Sequence, residues 1–379
     1  MAIDRKSKNR IALNTYFFLL GFGFSSWASR IPNIKEMLGL NEAELGSILI
    51  AMPISSLVGI PVSGWLVSKF DSRVPMIIGV VVQCICLIGI GFVNSVSALV
   101  GFVFFYAFFV RIGNIAANTQ AIFIQKQFEK KINGSFHGLW SVGGIMGILL
   151  TSFMVSLEMS TSTHFMIASG TIILISIISY SFYLVGDKST QPSKLQLGKP
   201  DPQIVSLGIL IFCAAICEGG MFDWSGIYFK EVVGAEIFTL GYLIFMAFMA
   251  FSRFFSDRLI DRIGMKKLFI FSAICLAGGL AIAVAFPNFW MAMIGFSIVG
   301  IGTASIVPMT MLLAGNHKKY SPGVALSIIS TYGIMGVFIG PPVIGYLAHL
   351  MNLGISFLFV AGIGLLIIPV SRYYFKISG

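Results

Sequence analysis

Twelve blocks of about 20 mostly apolar residues, separated by short gaps that hold most of the charges, constrain this chain more than any other feature. A helix needs about 20 apolar residues to cross the roughly 30 Å of hydrocarbon in a bilayer. Only helices and closed barrels satisfy their backbone polar groups there. The blocks read as membrane-spanning helices at 11–30, 43–67, 75–93, 98–123, 136–157, 165–185, 204–228, 237–256, 267–286, 288–313, 322–348 and 355–372. Of the 379 residues, 57% are apolar and only 11% are charged, against roughly 25% charged in a soluble domain. No room remains for a separate water-soluble domain.

The net charge is +10, but the cations stand in twos, threes and fours between the blocks, with no continuous basic face. The expected surroundings are the lipid bilayer, and nucleic acid is excluded as a partner. With the N-terminus in the cytoplasm, twenty Lys and Arg fall inside, three (Arg30, Lys35 and Lys230) outside, and Arg111 and Arg253 within spans. That asymmetry predicts both termini in the cytoplasm. It also makes Asn133-Gly134-Ser135 a chance glycosylation sequon, since its loop is on the inner side. The first block has the basic flank and the small-x-small Ser26-Trp27-Ala28 of a signal peptide; its part in an internal repeat predicts that it is retained. Cys84, Cys86, Cys213, Cys217 and Cys275 lie in apolar blocks without paired spacing, and read as small buried hydrophobes, with no disulfide and no metal.

The repeat divides the helices six and six. Gly23 and Trp27 in the first helix match Gly220 and Trp224 in the seventh, 197 residues on, and Gly144-Ile-Met-Gly147 recurs as Gly333-Ile-Met-Gly336, 189 residues on. An even number of spans separates the copies, so they share orientation, as in parallel-repeat transporters. The expected fold is an all-α integral membrane protein of twelve transmembrane helices in two pseudo-symmetric six-helix bundles. These occupy 1–185 and 204–379, joined by a cytoplasmic linker at 186–203 that holds Pro192, Pro200 and Pro202.

The loop from Asp257 to Lys267, D-R-L-I-D-R-I-G-M-K-K, resembles the major facilitator superfamily signature G-x-L-x-D-R-x-G-x-[RK] at Leu259, Asp261, Arg262, Gly264 and Lys266, with Asp257 where glycine is usual. Its copy after the second helix keeps Gly64, Leu66, Lys69 and Arg73 but has Ser68 in place of the aspartate on which a gate latch would be built. Ser26-Trp-Ala-Ser-Arg30-Ile-Pro32, Ala43-Glu-Leu-Gly46, His137-Gly138 with Ser141 and Gly143, Glu218-Gly219 with Asp223-Trp224, and Gly340-Pro-Pro-x-x-Gly-Tyr346 resemble the YbjJ-like branch of that superfamily. The resemblance implies an inner-membrane secondary transporter, and a more distant likeness to fucose permeases implies proton-coupled sugar uptake. Gln120 stands near the place where YbjJ-like members carry a glutamate, so that coupling role is not carried over.

Glu218 is the candidate proton-coupling group. A carboxylate deep in hydrocarbon is costly unless paired, hydrated or protonated, so it serves either as a proton or substrate site in a central cavity or as a structural acid tied to one neighbour. Gly220 beside it, and Gly23 in helix 1, mark either a midplane binding site or close helix packing. Arg111, Asn114 and Asn118 form a polar stripe at i, i+3 and i+7 in helix 4. There the arginine fork suits a carboxylate, a phosphate or vicinal hydroxyls; pairing with Glu218, or snorkelling to the interface, are the alternatives. Trp27 and Trp224 are substrate-binding candidates or interfacial anchors. Gating candidates are Arg30 with Asp223 at the outer ends, and Asp261, Arg262 and His137 on the inner side. His137 acts there either through its titration near neutral pH or as a turn contact.

No phosphate loop, HExxH or GxSxG sequence is present. The expectation is therefore no enzyme, no catalytic residues, no cofactor and no ATP-driven step. Four helices (1, 4, 7 and 10) are expected to build a central site. The functional expectation is a monomeric transporter moving a small polar or amphipathic solute, sugar-like or an organic acid, by alternating access with protons. A drug or lipophilic-compound exporter and a non-transporting membrane sensor are the competing readings.

Overall fold

The structure, a computed structural model, describes residues 4–129, 132–188, 201–320 and 322–378. Most of the expected linker, 189–200, lies outside the described residues. Helices form the whole architecture of the described residues, with no strand: α1 (Arg5–Ala28), α2 (Ile31–Met37), α3 (Glu42–Leu49), α4 (Ala51–Lys69), α5 (Arg73–Ile90), α6 (Val96–Gln125), α7 (Asn133–Ser156), α8 (Thr161–Tyr180), α9 (Pro202–Glu231), α10 (Thr239–Ile263), α11 (Met265–Ala285), α12 (Phe289–Thr303), α13 (Ile306–Gly315), α14 (Pro322–Leu350) and α15 (Leu353–Ser378).

Among the described residues, eleven helical stretches are long and apolar enough to cross a membrane. The eighth expected span lies in α10, whose described apolar stretch is Thr239–Arg253, with Arg258, Asp261 and Arg262 following toward its end. Three other spans are each made of two pieces, α1 with α2, α3 with α4, and α12 with α13. One cause serves all three breaks. Pro32, Pro53 and Pro308 each fall within the first three residues of the second piece, where a missing N–H costs nothing but the ring obstructs the preceding turn. Many apolar side chains point outward, Ile122, Leu174, Phe251 and Leu350 among them. A bilayer covers such a surface; water would not tolerate it.

Contacts divide the chain into two units, Met1–Gly39 with Ala51–Ser193, and Leu40–Ile50 with Lys194–Gly379. In the first, α1 packs on α7 and α8, α6 on α4 and α5, and α5 on α8. In the second, α9 packs on α14 and α15, α12 on α10 and α11, and α11 on α15. These are the same pairs when the helices are matched in chain order, so the sequence repeat is a repeat of packing. The second unit also holds α3, closed at its start by a capping box of Asn41 and Glu44. Its Gly46 lies against Pro341, Pro342 and Gly345 of α14, and Ser47 shares a 2.9 Å hydrogen bond with Tyr346.

Glycine sets the closest helix approaches and reveals the true register. A Cβ at Gly147 of α7 would strike the carbonyl of Phe22 in α1, and one at Gly336 of α14 would strike the carbonyl of Phe212 in α9. Gly147 and Gly336 are 189 apart, as expected, but Phe22 and Phe212 are 190 apart rather than 197. The tryptophan match is therefore out by seven residues. Seven residues are about two helical turns, so the slip keeps the same face while moving about 10 Å along the axis; a pattern of faces alone does not detect it.

Candidate functional site

In the second unit the site is built on α9. Glu218 lies 13 residues before the helix end at Glu231, about 20 Å along the axis, too deep for its carboxylate to reach an interface. Its ion-pair partner is Arg253 of α10, with Nη2 donating to Oε1 at 3.5 Å and the two side chains 19% and 33% exposed. Arg253 Nη2 also approaches the Met249 sulfur at 3.7 Å, while its Nε is buried without a partner. Sequence alone marks Arg253 only as a cation within a span. Two charges in hydrocarbon find each other across neighbouring helices because neither is tolerable alone. Five residues on, the Asp223 carboxylate makes no hydrogen bond or ion pair among the described residues.

In the first unit, Arg111 occupies the middle of the 30-residue α6. Either end of that helix is about 20 Å away, farther than an arginine side chain extends. Gly59 of α4 makes room for it: a Cβ there would sit 3.2 Å from Arg111 Cγ. Asn118 Nδ2 donates to the Asn114 backbone carbonyl at 2.8 Å and to Asn114 Oδ1 at 2.6 Å. All three residues of the stripe are half-buried.

The remaining candidates are set mostly into packing. Trp27 and Trp224 are 2% and 0% exposed, each with its indole N–H buried without an acceptor among the described residues. Trp27 packs against Tyr106, and Trp224 against Gly345. A Cβ on Gly23 would press on Ile172, and one on Gly220 on Ile344; the Gly23 carbonyl accepts from Tyr106 at 3.3 Å. His137 is exposed near the start of α7, edge-on to Phe17. Asp261 and Arg262 are exposed in the last turn of α10. The turn after them needs Gly264, whose φ of 78° suits no β-substituted residue.

Arg30 has no unused nitrogen. Its Nε donates to His164 Nδ1 at 3.3 Å, Nη1 to Asn33 Oδ1 at 3.1 Å, and Nη2 to the Met159 carbonyl at 3.0 Å. An arginine Nε only donates, so His164 Nδ1 must accept and its proton sits on Nε2. That nitrogen faces Thr151 Oγ1 at 3.4 Å, and the threonine hydroxyl donates to the Gly147 carbonyl at 2.8 Å. His164, fully buried, is a site residue the sequence did not mark. Asp187 is another: buried, it accepts from the Ser72 amide at 2.9 Å and from the Ser72 hydroxyl, which in turn accepts from Gln120 Nε2 at 2.8 Å.

Comparison with known proteins bears on the whole chain. A Yersinia pestis protein named as an uncharacterized MFS-type transporter is 28% identical over 94% of this chain and 93% of its own length. The membrane protein MosC of Rhizobium meliloti is 27% identical over 94% and 88%. Among solved structures, the nucleoside transporter NupG shares the fold at a TM-score of 0.77 and 15% identity, over 99% of this chain and 100% of that one. A bacterial homologue of the human lysosomal transporter Spinster does so at 0.79 and 14%, over 99% of each. With two units of the same helix pairing, charged side chains set in the middle of apolar helices, and a family model that matches residues 13–318 and 242–378, the chain belongs to the Major Facilitator Superfamily.

Proposed function

We propose that this membrane transporter is a secondary active carrier that moves a small polar or amphipathic solute, sugar-like or an organic acid, by alternating access coupled to protons. The observation that carries the reading is the Glu218–Arg253 pair, a single long contact of 3.5 Å with both side chains partly open. A permanent structural bridge in hydrocarbon favours short, bidentate, fully enclosed geometry. A loose pair whose acid is reachable suits a group that exchanges a proton and releases its arginine when it does. Glu218 is the proton-coupling residue in this reading, and Arg111, Asn114 and Asn118 contact the solute. In this reading the carrier works as a monomer in the inner membrane, and the excess of Lys and Arg on the inner loops supports cytoplasmic placement of both termini.

Reconstituted into proteoliposomes, the protein accumulates solute when a pH gradient is imposed. Glu218→Gln loses that accumulation but retains solute exchange at equal pH on both sides. Full pH-driven accumulation by Glu218→Gln overturns the assignment.

A further inference from the structure

The first unit holds a mid-membrane cation with no counter-ion of its own. Its six long helices, α1, α4, α5, α6, α7 and α8, contain no Asp or Glu at any described position. Arg111 accordingly has no ion pair or hydrogen bond among the described residues, and its Nε is buried without a partner. An intramembrane cation left so is unfavourable until an anion or water meets it. In the second unit Glu218 already has Arg253.

Of the two asparagines beside it, Asn114 is oriented to add donors, while Asn118 leaves its Oδ1 as an acceptor. Asn118 Nδ2 faces a backbone carbonyl, which only accepts, so that amide cannot be turned the other way. The same nitrogen meets Asn114 Oδ1, which holds the Asn114 oxygen toward Asn118 and leaves its NH2 group facing elsewhere. One turn from Arg111, α6 therefore offers a second pair of N–H donors. Gly59 keeps the stem of Arg111 flat against α4, with a prospective Cβ only 3.2 Å from Cγ and 3.3 Å from Cβ of the arginine. The stripe thus presents a rigid guanidinium fork and an amide NH2 with one unit of positive charge. A neutral polyol would bring hydroxyl donors to it that find few acceptors; an anion with two coplanar oxygens satisfies the fork with parallel N–H···O bonds and neutralises it.

We infer that Arg111 with Asn114 is the recognition site for a monovalent planar oxyanion, a carboxylate or its inorganic equivalent nitrate, borne by the transported solute. The inference rests on the transport reading above and narrows its solute to an anion.

The test is thermal unfolding of the detergent-purified full chain against sodium acetate, lactate, pyruvate, gluconate and nitrate, with glucose, a nucleoside and equal sodium chloride as controls. A ligand that binds only the folded state raises the melting temperature saturably. The expected result is a saturable shift with at least one oxyanion beyond that of chloride. A response confined to carboxylates identifies an organic acid, and one to nitrate as well identifies the smaller anion; both support the site. Arg111→Gln abolishes the shift, and Arg111→Lys, which keeps the charge but loses the fork, raises the half-saturating concentration by roughly tenfold. Asn114→Asp supplies an internal carboxylate at i, i+3, and is expected to lose the shift while melting at or above the unmodified temperature. That variant keeps the test decisive should Arg111→Gln fail to fold. No oxyanion response, a neutral solute whose half-saturation is the same in Arg111→Gln, or an unchanged oxyanion response in Asn114→Asp overturns the inference. Flux separates the two readings: an oxyanion that binds but never crosses proteoliposomes refutes transport and leaves the site, whereas flux of neutral solutes alone refutes the site and leaves transport.

Discussion

The Glu218–Arg253 pair makes a quantitative prediction. Two unit charges 3.5 Å apart attract by about 5 kcal/mol at an effective dielectric of about 20. Two features reduce that gross figure. The contact is single and longer than the roughly 2.7–2.9 Å of a strong charge-assisted bond, and side chains 19% and 33% exposed leave room for screening. Breaking a fully buried pair costs about 3–5 kcal/mol, and exposed pairs are worth about 0.2–1 kcal/mol. A pair between those limits should show a coupling energy of about 1–3 kcal/mol. The measurement is a double-mutant cycle with Glu218→Gln, Arg253→Gln and the double variant, each unfolded by denaturant in the same detergent mixture. Each single variant leaves one charge stranded in an apolar span, so each is expected to be less stable than the double variant would suggest by addition. A coupling below about 0.5 kcal/mol would show that the two groups do not depend on each other. Release of Arg253 by protonation of Glu218 would then have no energetic content, and the proton-coupling reading would fall with it.

Glycine substitutions should separate two classes by sign. Gly336→Ala drives a methyl into the Phe212 backbone carbonyl and the Ala215 methyl, neither of which can swing aside, and is expected to cost about 1–3 kcal/mol. Gly170→Ala and Gly278→Ala, both within helices and with nothing within 4 Å of the new Cβ, should be neutral or stabilising by up to about 1 kcal/mol; thermal melts of the three variants check this. Asp201 caps α9 by accepting from the Gln203 amide at 2.9 Å and stands 3.4 Å from Lys319 and 3.7 Å from His317. Partial burial works to raise its pKa, but the amide and the two basic groups outweigh it and hold it below the usual carboxylate range. A folded value below the unfolded one stabilises above the unfolded pKa of about 3.9 and is lost as pH falls through the folded one. Asp201→Ala should therefore cost about 1 kcal/mol at neutral pH, with the gap to the unmodified protein closing in acid melts.

The sequence reveals most of this fold because hydrocarbon leaves few choices. Block length predicts the spans, and three prolines near the start of second pieces explain why three spans are broken. The Gly23–Trp27 and Gly220–Trp224 match is misplaced by seven residues, since a two-turn slip leaves every residue on its face, and only the contact of Gly147 with Phe22 and of Gly336 with Phe212 fixes the register.

Site partners are less legible, for a physical reason. Arg253 is evident as a cation within a span, yet its pairing with Glu218 depends on which faces of α9 and α10 meet, and hydropathy is nearly uniform around α9. His164 carries no signal, because a neutral buried imidazole near a helix start resembles any polar residue at an interface; its role follows from Arg30 Nε at 3.3 Å.

Shared packing and unshared charge have different origins. The two units repeat the same helix pairs, with a glycine set closely against a backbone carbonyl in each, Gly147 on Phe22 and Gly336 on Phe212. Such contacts involve main chain and the absence of a side chain, so they place few demands on neighbouring residues. Charge is under no such constraint. One unit sets an acid against a base within its own helices, and the other sets a lone arginine in long helices devoid of acids. On the transport reading proposed above, that inequality leaves Arg111 to meet a polar solute. The repeat thus supplies a common scaffold, and function resides in the residues on which its two copies differ.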